Sequence, residues 1–166
     1  GTLTVAIGDA TDHGARAGTM VTAVKGLFNI LVEEHDLRVV IRRATTALKN
    51  MHLGNLYMAF ALVKLQDNTL RLVGAGMPGA LVHRASSGQI DQVSLSGMPL
   101  GSLVEYPYEV SEIQLHPGDT VFLMSDGFAE RFNPAGEMYG YSRTKEAFTE
   151  VANLSPADIV DQLVAV

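Results

Sequence analysis

Hydrophobic positions recur along this chain with two different periods, and the switches between them mark its elements. Residues 2–7, Thr-Leu-Thr-Val-Ala-Ile, form a short apolar run that predicts a buried strand, with Gly8 turning the backbone at its end. From Ala17 the apolar positions Met20, Val21, Val24, Leu27, Phe28 and Leu31 keep helical spacing. They predict a helix of about five turns with that face inward. Gly18 and Gly26 interrupt it, each costing roughly 1 kcal/mol relative to Ala. Close packing against a neighbour would explain that cost. Asp36 is placed to cap a second helix whose inward stripe is Val40, Ile41, Ala44, Ala47, Leu48 and Met51. Its Arg38, Arg42, Arg43 and Lys49 then form either a solvated face or a dock for an acidic or phosphorylated partner.

Beyond residue 55 the period changes. Leu56 to Leu65 is nearly all apolar, as a strand covered on both faces would be, and Gln66-Asp67-Asn68 turns it into an alternating strand from Thr69 to Val73. A second hairpin joins Ala80–Arg84 to Ile90–Leu95 through Ser86-Ser87-Gly88. Tyr108 to Leu115 alternates imperfectly, and His116-Pro117-Gly118-Asp119 turns the chain into the run Val121-Phe122-Leu123-Met124. A helix is expected from about Tyr141 to Ala152, and another begins at Ser155-Pro156 with Ile159, Val160 and Leu163 inward. Hairpins in series with helices grouped apart predict an α+β fold with largely antiparallel sheet.

Composition narrows the function classes. The 166 residues suit one domain with a proper core, 47 % of them hydrophobic, and no apolar run is long enough to span a membrane. The formal charge of −6 and the lack of a basic, aromatic-interleaved stripe argue against nucleic acid as a partner. With no cysteine, disulfides and thiolate metal sites are excluded, which fits a reducing, cytoplasmic setting. A strand pattern already running at Thr2 and a helix pattern still running at Val166 give the expectation of a piece excised from a longer protein.

Candidate chemistry gathers at two strand ends. Val5-Ala6-Ile7-Gly8-Asp9-Ala10-Thr11-Asp12-His13-Gly14 passes from apolar strand to carboxylates, hydroxyl and imidazole within a few residues. Alone, it reads as a helix-capping turn. A second run, ending Ser125-Asp126-Gly127, changes that reading. Two carboxylates fixed at the ends of adjacent strands would share a hard divalent cation, which prefers oxygen ligands. The loops Gly74-Ala75-Gly76-Met77-Pro78-Gly79 and Gly97-Met98-Pro99-Leu100-Gly101 are glycine-dense, yet neither joins a strand to a helix as a nucleotide-binding loop does, so both read as turns.

Taken in order, Gly8-Asp9-Ala10-Thr11-Asp12-His13-Gly14, Ala75-Gly76-Met77-Pro78, Gly97-Met98-Pro99-Leu100-Gly101, Leu115-His116-Pro117-Gly118-Asp119 and Ser125-Asp126-Gly127 with Glu130 make the chain resemble the SpoIIE-type branch of the PPM family, bacterial metal-dependent serine/threonine phosphatases. The resemblance covers nearly the whole sequence. It implies two antiparallel β-sheets packed as a sandwich with helices outside, and two Mg²⁺ or Mn²⁺ ions at one edge. By that likeness Asp9 bridges the metals, the Ala10 carbonyl takes another position, and Asp126 binds from the opposite sheet. A metal-activated water would hydrolyse phosphoserine or phosphothreonine. His13 is either a support or proton donor near the leaving oxygen, or a turn histidine bonded locally. Glu130 reads as a turn or cap residue.

The sequence departs from the family's pattern at Asp12, where glycine is usual, and it lacks the acidic segments expected before its first residue and after its last. Residues 1–166 are therefore expected to be a single phosphatase domain without its N- and C-terminal ligand segments, binding metal poorly by themselves. The resemblance further implies an upstream sensor or receiver domain and a phosphorylated signalling protein as substrate, such as an anti-sigma-factor antagonist. The exposed faces of the two long helices are available for homodimerisation or regulation. A pseudo-phosphatase, keeping the fold as a regulatory binding module, stands as the alternative function.

Overall fold

The computed structural model describes residues 1–165. Strand β1 (Thr2–Ala10) leads to helices α1 (Gly14–Leu31) and α2 (Leu37–Asn50), followed by β2 (Met58–Gln66), β3 (Thr69–Ala75), β4 (Ala80–His83), β5 (Ile90–Val93), β6 (Val110–Gln114) and β7 (Thr120–Phe122). The short α3 (Asp126–Ala129) and helices α4 (Gly140–Val151) and α5 (Pro156–Val164) complete it. The strands form two antiparallel sheets, ordered β1-β2-β3-β6 and β5-β4-β7.

Three apolar clusters define four layers. Met20, Val24, Ile41 and Leu48 of α1 and α2 bury one face of the larger sheet at Leu62 and Val73. Alternation along the strands sends the neighbouring residues Ala61, Val63 and Leu72 to the opposite face. There they meet Ala80 and Val121 of the smaller sheet and Leu123 just past β7. The outer face of that sheet, at Leu81 and Phe122, packs on Phe148, Ile159 and Leu163 of α4 and α5. This is the helix–sheet–sheet–helix sandwich that the resemblance implies.

Several local expectations are corrected. Strand β1 continues through Gly8 and Asp9 to Ala10, so Gly8 does not turn the chain. A Cβ there would lie 2.5 Å from Met58 Cε and 3.0 Å from Phe60 Cδ2, so glycine makes room for side chains of β2. Gly18 and Gly26 have no neighbour within 4 Å of an added Cβ, and close packing does not account for them. Val21 (45 % exposed), Met51 (48 %) and Val160 (56 %) were expected inward and face outward. Met51 is the residue capping α2, and α5 buries only Ile159 and Leu163, spaced i, i+4. The strand expected from Tyr108 begins at Val110, because Tyr108 turns its hydroxyl to the Met98 carbonyl at 2.6 Å. The helix expectation at Val166 lies outside the described residues.

The two glycine-dense loops are turns held against one another. At Gly74 a Cβ would fall 2.0 Å from the Leu95 carbonyl oxygen, and at Gly97 it would fall 2.3 Å from the Gly74 oxygen. Backbones meet where side chains would ordinarily stand.

Candidate functional site

Strand β1 is an edge strand, and its last residues combine firm anchoring with open valences. Thr11 closes the ladder: its N–H donates to the Tyr57 carbonyl at 2.9 Å, its hydroxyl donates to the same oxygen at 3.1 Å, and its Oγ1 accepts the Tyr57 N–H at 2.9 Å. Ala10 stands opposite Met58. Met58 exchanges both its N–H and its C=O with Leu100, at 3.2 and 2.8 Å. Antiparallel pairs alternate between bonded and unbonded. The Ala10 carbonyl is therefore left to the open edge of the sheet.

Asp9 shares the face of Ile7 by strand alternation, and Ile7 packs into the layer between the sheets with Val121 and Leu123. Its exposed carboxylate has no hydrogen bond or ion pair among the described residues. Asp126 lies three residues beyond Leu123. It opens α3, and its Oδ1 accepts only the N–H of Gly127, at 2.9 Å. The two acids thus stand at ends of segments that share one inter-sheet layer. They come from different sheets, which corrects the reading of adjacent strands. No hydrogen bond joins them, and no group of three or more His, Asp or Glu side chains poised for a metal occurs among the described residues.

Between β1 and α1 the chain reverses at Asp12 (φ 76°) and Gly14 (φ 70°). Asp12 tolerates the left-handed conformation as Asp does more readily than most residues. Its carboxylate accepts the His13 N–H at 2.9 Å and pairs with Arg16 at 3.2 Å, which offsets its charge. His13 occupies the N-cap position of α1 in an extended conformation without a side-chain capping bond. Its ring is exposed.

The surroundings of Asp126 hold residues that sequence periodicity did not flag. Glu130 caps α3, its N–H returning to the Asp126 carbonyl at 2.9 Å. Next to it the Arg131 guanidinium lies 4.3 Å from the ring centres of both Phe128 and Tyr139. These cation–π contacts tie α3 to the start of α4. Tyr141 stands close enough to feel the site: burial first, then the charges of Asp126 and Glu130, push its phenol up. The signal in the sequence was the aromatic pair flanking Gly140, which has no periodicity to announce it.

The donor set suits a hard dication in part. Two carboxylates and a carbonyl that, among the described residues, have no cationic partner and no donor from a neighbouring strand respectively are oxygen ligands of the kind Mg²⁺ accepts while keeping several waters. Solved structures that share this four-layer α-β-β-α arrangement are PP2C-type phosphatase domains. Residues 1–166 match the family described as Stage II sporulation protein E (SpoIIE), and the chain belongs to that family. It is 29 % identical over 128 residues to Stage II sporulation protein E of Bacillus subtilis, covering 75 % of this chain and 15 % of that protein. The solved PP2C domain of the same protein, with a fragment of its regulatory domain, superposes with a TM-score of 0.78 at 25 % identity over 99 % of this chain and 48 % of that one. The SiaA PP2C domain of Pseudomonas aeruginosa gives 0.84 at 18 % identity, covering 98 % and 66 %. RsbX, crystallised with magnesium, gives 0.74 at 17 % identity, covering 99 % and 73 %. The last two speak to fold alone.

Proposed function

We propose that the protein carrying this chain is a metal-dependent phosphatase that hydrolyses phosphoserine or phosphothreonine on a bacterial signalling protein. The observation that carries this reading is the pair of uncommitted carboxylates, Asp9 and Asp126, on segments sharing one inter-sheet layer. Residues 1–166 form a single phosphatase domain, and the remaining acidic ligands belong to segments beyond it. Asp9, the Ala10 carbonyl and Asp126 would hold Mg²⁺ or Mn²⁺. When bound, such ions supply a water of lowered pKa and a clamp for phosphate oxygens.

The chain's own part is positional. Rigid anchoring by Thr11 holds Asp9 and the Ala10 carbonyl in register, and α3 presents Asp126 from the other sheet. His13, exposed at the start of α1 four residues after Asp9, would be the candidate to give a proton to the departing serine or threonine oxygen. The family supports a phosphoprotein substrate, and we place among its candidates an anti-sigma-factor antagonist, with a sensor or receiver domain ahead of the phosphatase in the same protein. Among the described residues no helix is long and apolar enough to cross a membrane, and the absence of cysteine accords with the cytoplasm.

A second reading, a regulatory module without chemistry, draws on the presence of only two matching side-chain ligands. Calorimetric titration of the intact protein with Mn²⁺ separates the two. The phosphatase binds the ion and, with Mn²⁺ present, releases phosphate from a phosphoserine protein. Absence of both would leave the regulator.

A further inference from the structure

At the other end of β1, seven residues from Asp9 and so roughly 20 Å away along extended strand, the helix-facing side of the larger sheet changes character. Where Ala6, Leu62 and Val73 are apolar, the next positions are polar in two complete cross-strand rows. Thr4 stands opposite Lys64 and Lys64 opposite Arg71, while Thr2 stands opposite Gln66 and Gln66 opposite Thr69. These side chains line a cavity of about 670 Å³ beneath the α1–α2 connection, within the usual size of small-molecule sites.

The donors on this floor exceed their acceptors. Lys64 is only 8 % exposed, and its ammonium, with three N–H groups, donates to one protein acceptor, the Glu34 carbonyl. Arg71 gives Nη1 to the His35 carbonyl at 3.3 Å, while its buried Nε has no hydrogen-bond partner and lies 3.8 Å from the nearest carboxylate oxygen, that of Glu112. Lys64 is the buried cation, and its unspent donors are costly unless something accepts from them; the Arg71 side chain, 39 % exposed, keeps a long ion pair with Glu112. Glu33 and Asp67, both exposed, are the acids lining the cavity, while the Glu34 carboxylate also acts on Lys64 and Glu112 stands beside Arg71.

We infer that this cavity binds a small molecule whose phosphate or carboxylate head reaches Lys64 and Arg71, with the hydroxyls of Thr2 and Thr4 completing its shell and a neutral or cationic remainder facing Glu33 and Asp67. The site is separate from the Asp9 end. A ligand there would also brace the connector whose carbonyls Lys64 and Arg71 hold.

The test is calorimetry on the intact protein in the presence of EDTA, which removes any dication that might itself hold phosphate. Inorganic phosphate and acetate are the two probes, and binding of either supports the site and assigns its head-group class. Lys64→Met removes a buried charge without leaving a cavity, and should weaken binding about tenfold or more, the worth of one charge-assisted hydrogen bond. Arg71→Gln should do the same, and Glu33→Gln should tighten binding two- to threefold by relieving repulsion in the cavity. Asp9→Asn should leave affinity unchanged. Failure of both probes to bind, equal affinity in Lys64→Met and wild type, or loss of binding in Asp9→Asn would each overturn the assignment.

Discussion

Two kinds of acidic turn sit within seven residues of each other in this chain, and they are built in opposite ways. Asp119 closes the turn before β7 with its side chain 2 % exposed. Its carboxylate accepts Arg84 Nη1 at 2.9 Å, the Ala85 N–H at 3.0 Å and the His116 N–H at 3.1 Å. Burial opposes its charge, but the His116 N–H, Arg84 and the Ala85 N–H outweigh it and hold the carboxyl below its ordinary range. Among the described residues Asp126, a few residues on, accepts one N–H from its own neighbour, and Asp9 accepts none. An acid whose two oxygens are both held by donors of the fold maintains a turn. One left with open valences at a strand end costs little in the fold and is free for ligands.

The widest separation between the two kinds comes from removing the open acids. Asp9→Asn and Asp126→Asn should each lower phosphatase turnover with Mn²⁺ by about 10³-fold, roughly 4 kcal/mol of transition-state stabilisation. Their melting temperatures should stay near that of the wild type. Turnover unchanged in both would remove the catalytic half of the contrast. Asp119→Ala should do the reverse, costing about 3 kcal/mol in denaturant titration because Arg84 loses a buried partner, with activity per folded molecule retained.

Acid titration sharpens the same point. Asp119 is held below the unfolded value of about 3.9. Its contribution is therefore fully present above that pH and is lost as pH falls through the lower folded value. The gap in stability between wild type and Asp119→Ala should be constant near neutrality and shrink below pH about 4. Asp36, whose carboxylate accepts the Arg38 N–H at 3.0 Å as the N-cap of α2, is an exposed intermediate case, and Asp36→Ala should cost about 1 kcal/mol. The least effect belongs to Asp12→Gly. It removes an exposed ion pair worth a few tenths of a kcal/mol, and glycine suits the positive φ, so stability should shift by less than about 0.5 kcal/mol.

Periodicity made much of this fold legible. The stripe of α2 from Val40 to Leu48, the hairpins at Asp67-Asn68 and Ser86–Gly88, and the capping by Ser155 and Asp36 all depend on residues near in sequence, and the structure has them. Contacts across the chain were not legible. Arg84 to Asp119 spans 35 residues, and no pattern in either segment announces the pair. The role of Gly8 was misread for a related reason. Its constraint comes from Met58 and Phe60 on the neighbouring strand, and a single strand read alone offers only turning as an explanation. At the candidate site, the acids were visible because they end apolar runs, whereas Arg131 and Tyr141 act through stacking and field, which leave no spacing to read.

The guanidinium of Arg131, clasped between two aromatic faces, has a spectroscopic corollary. Ring currents from Phe128 and Tyr139 should shield the side-chain protons it carries, moving their NMR resonances well upfield of those of a solvated arginine. That displaced signal reports the order of the segment bearing Asp126, so loosening of the acid's support would register in a resonance several residues away.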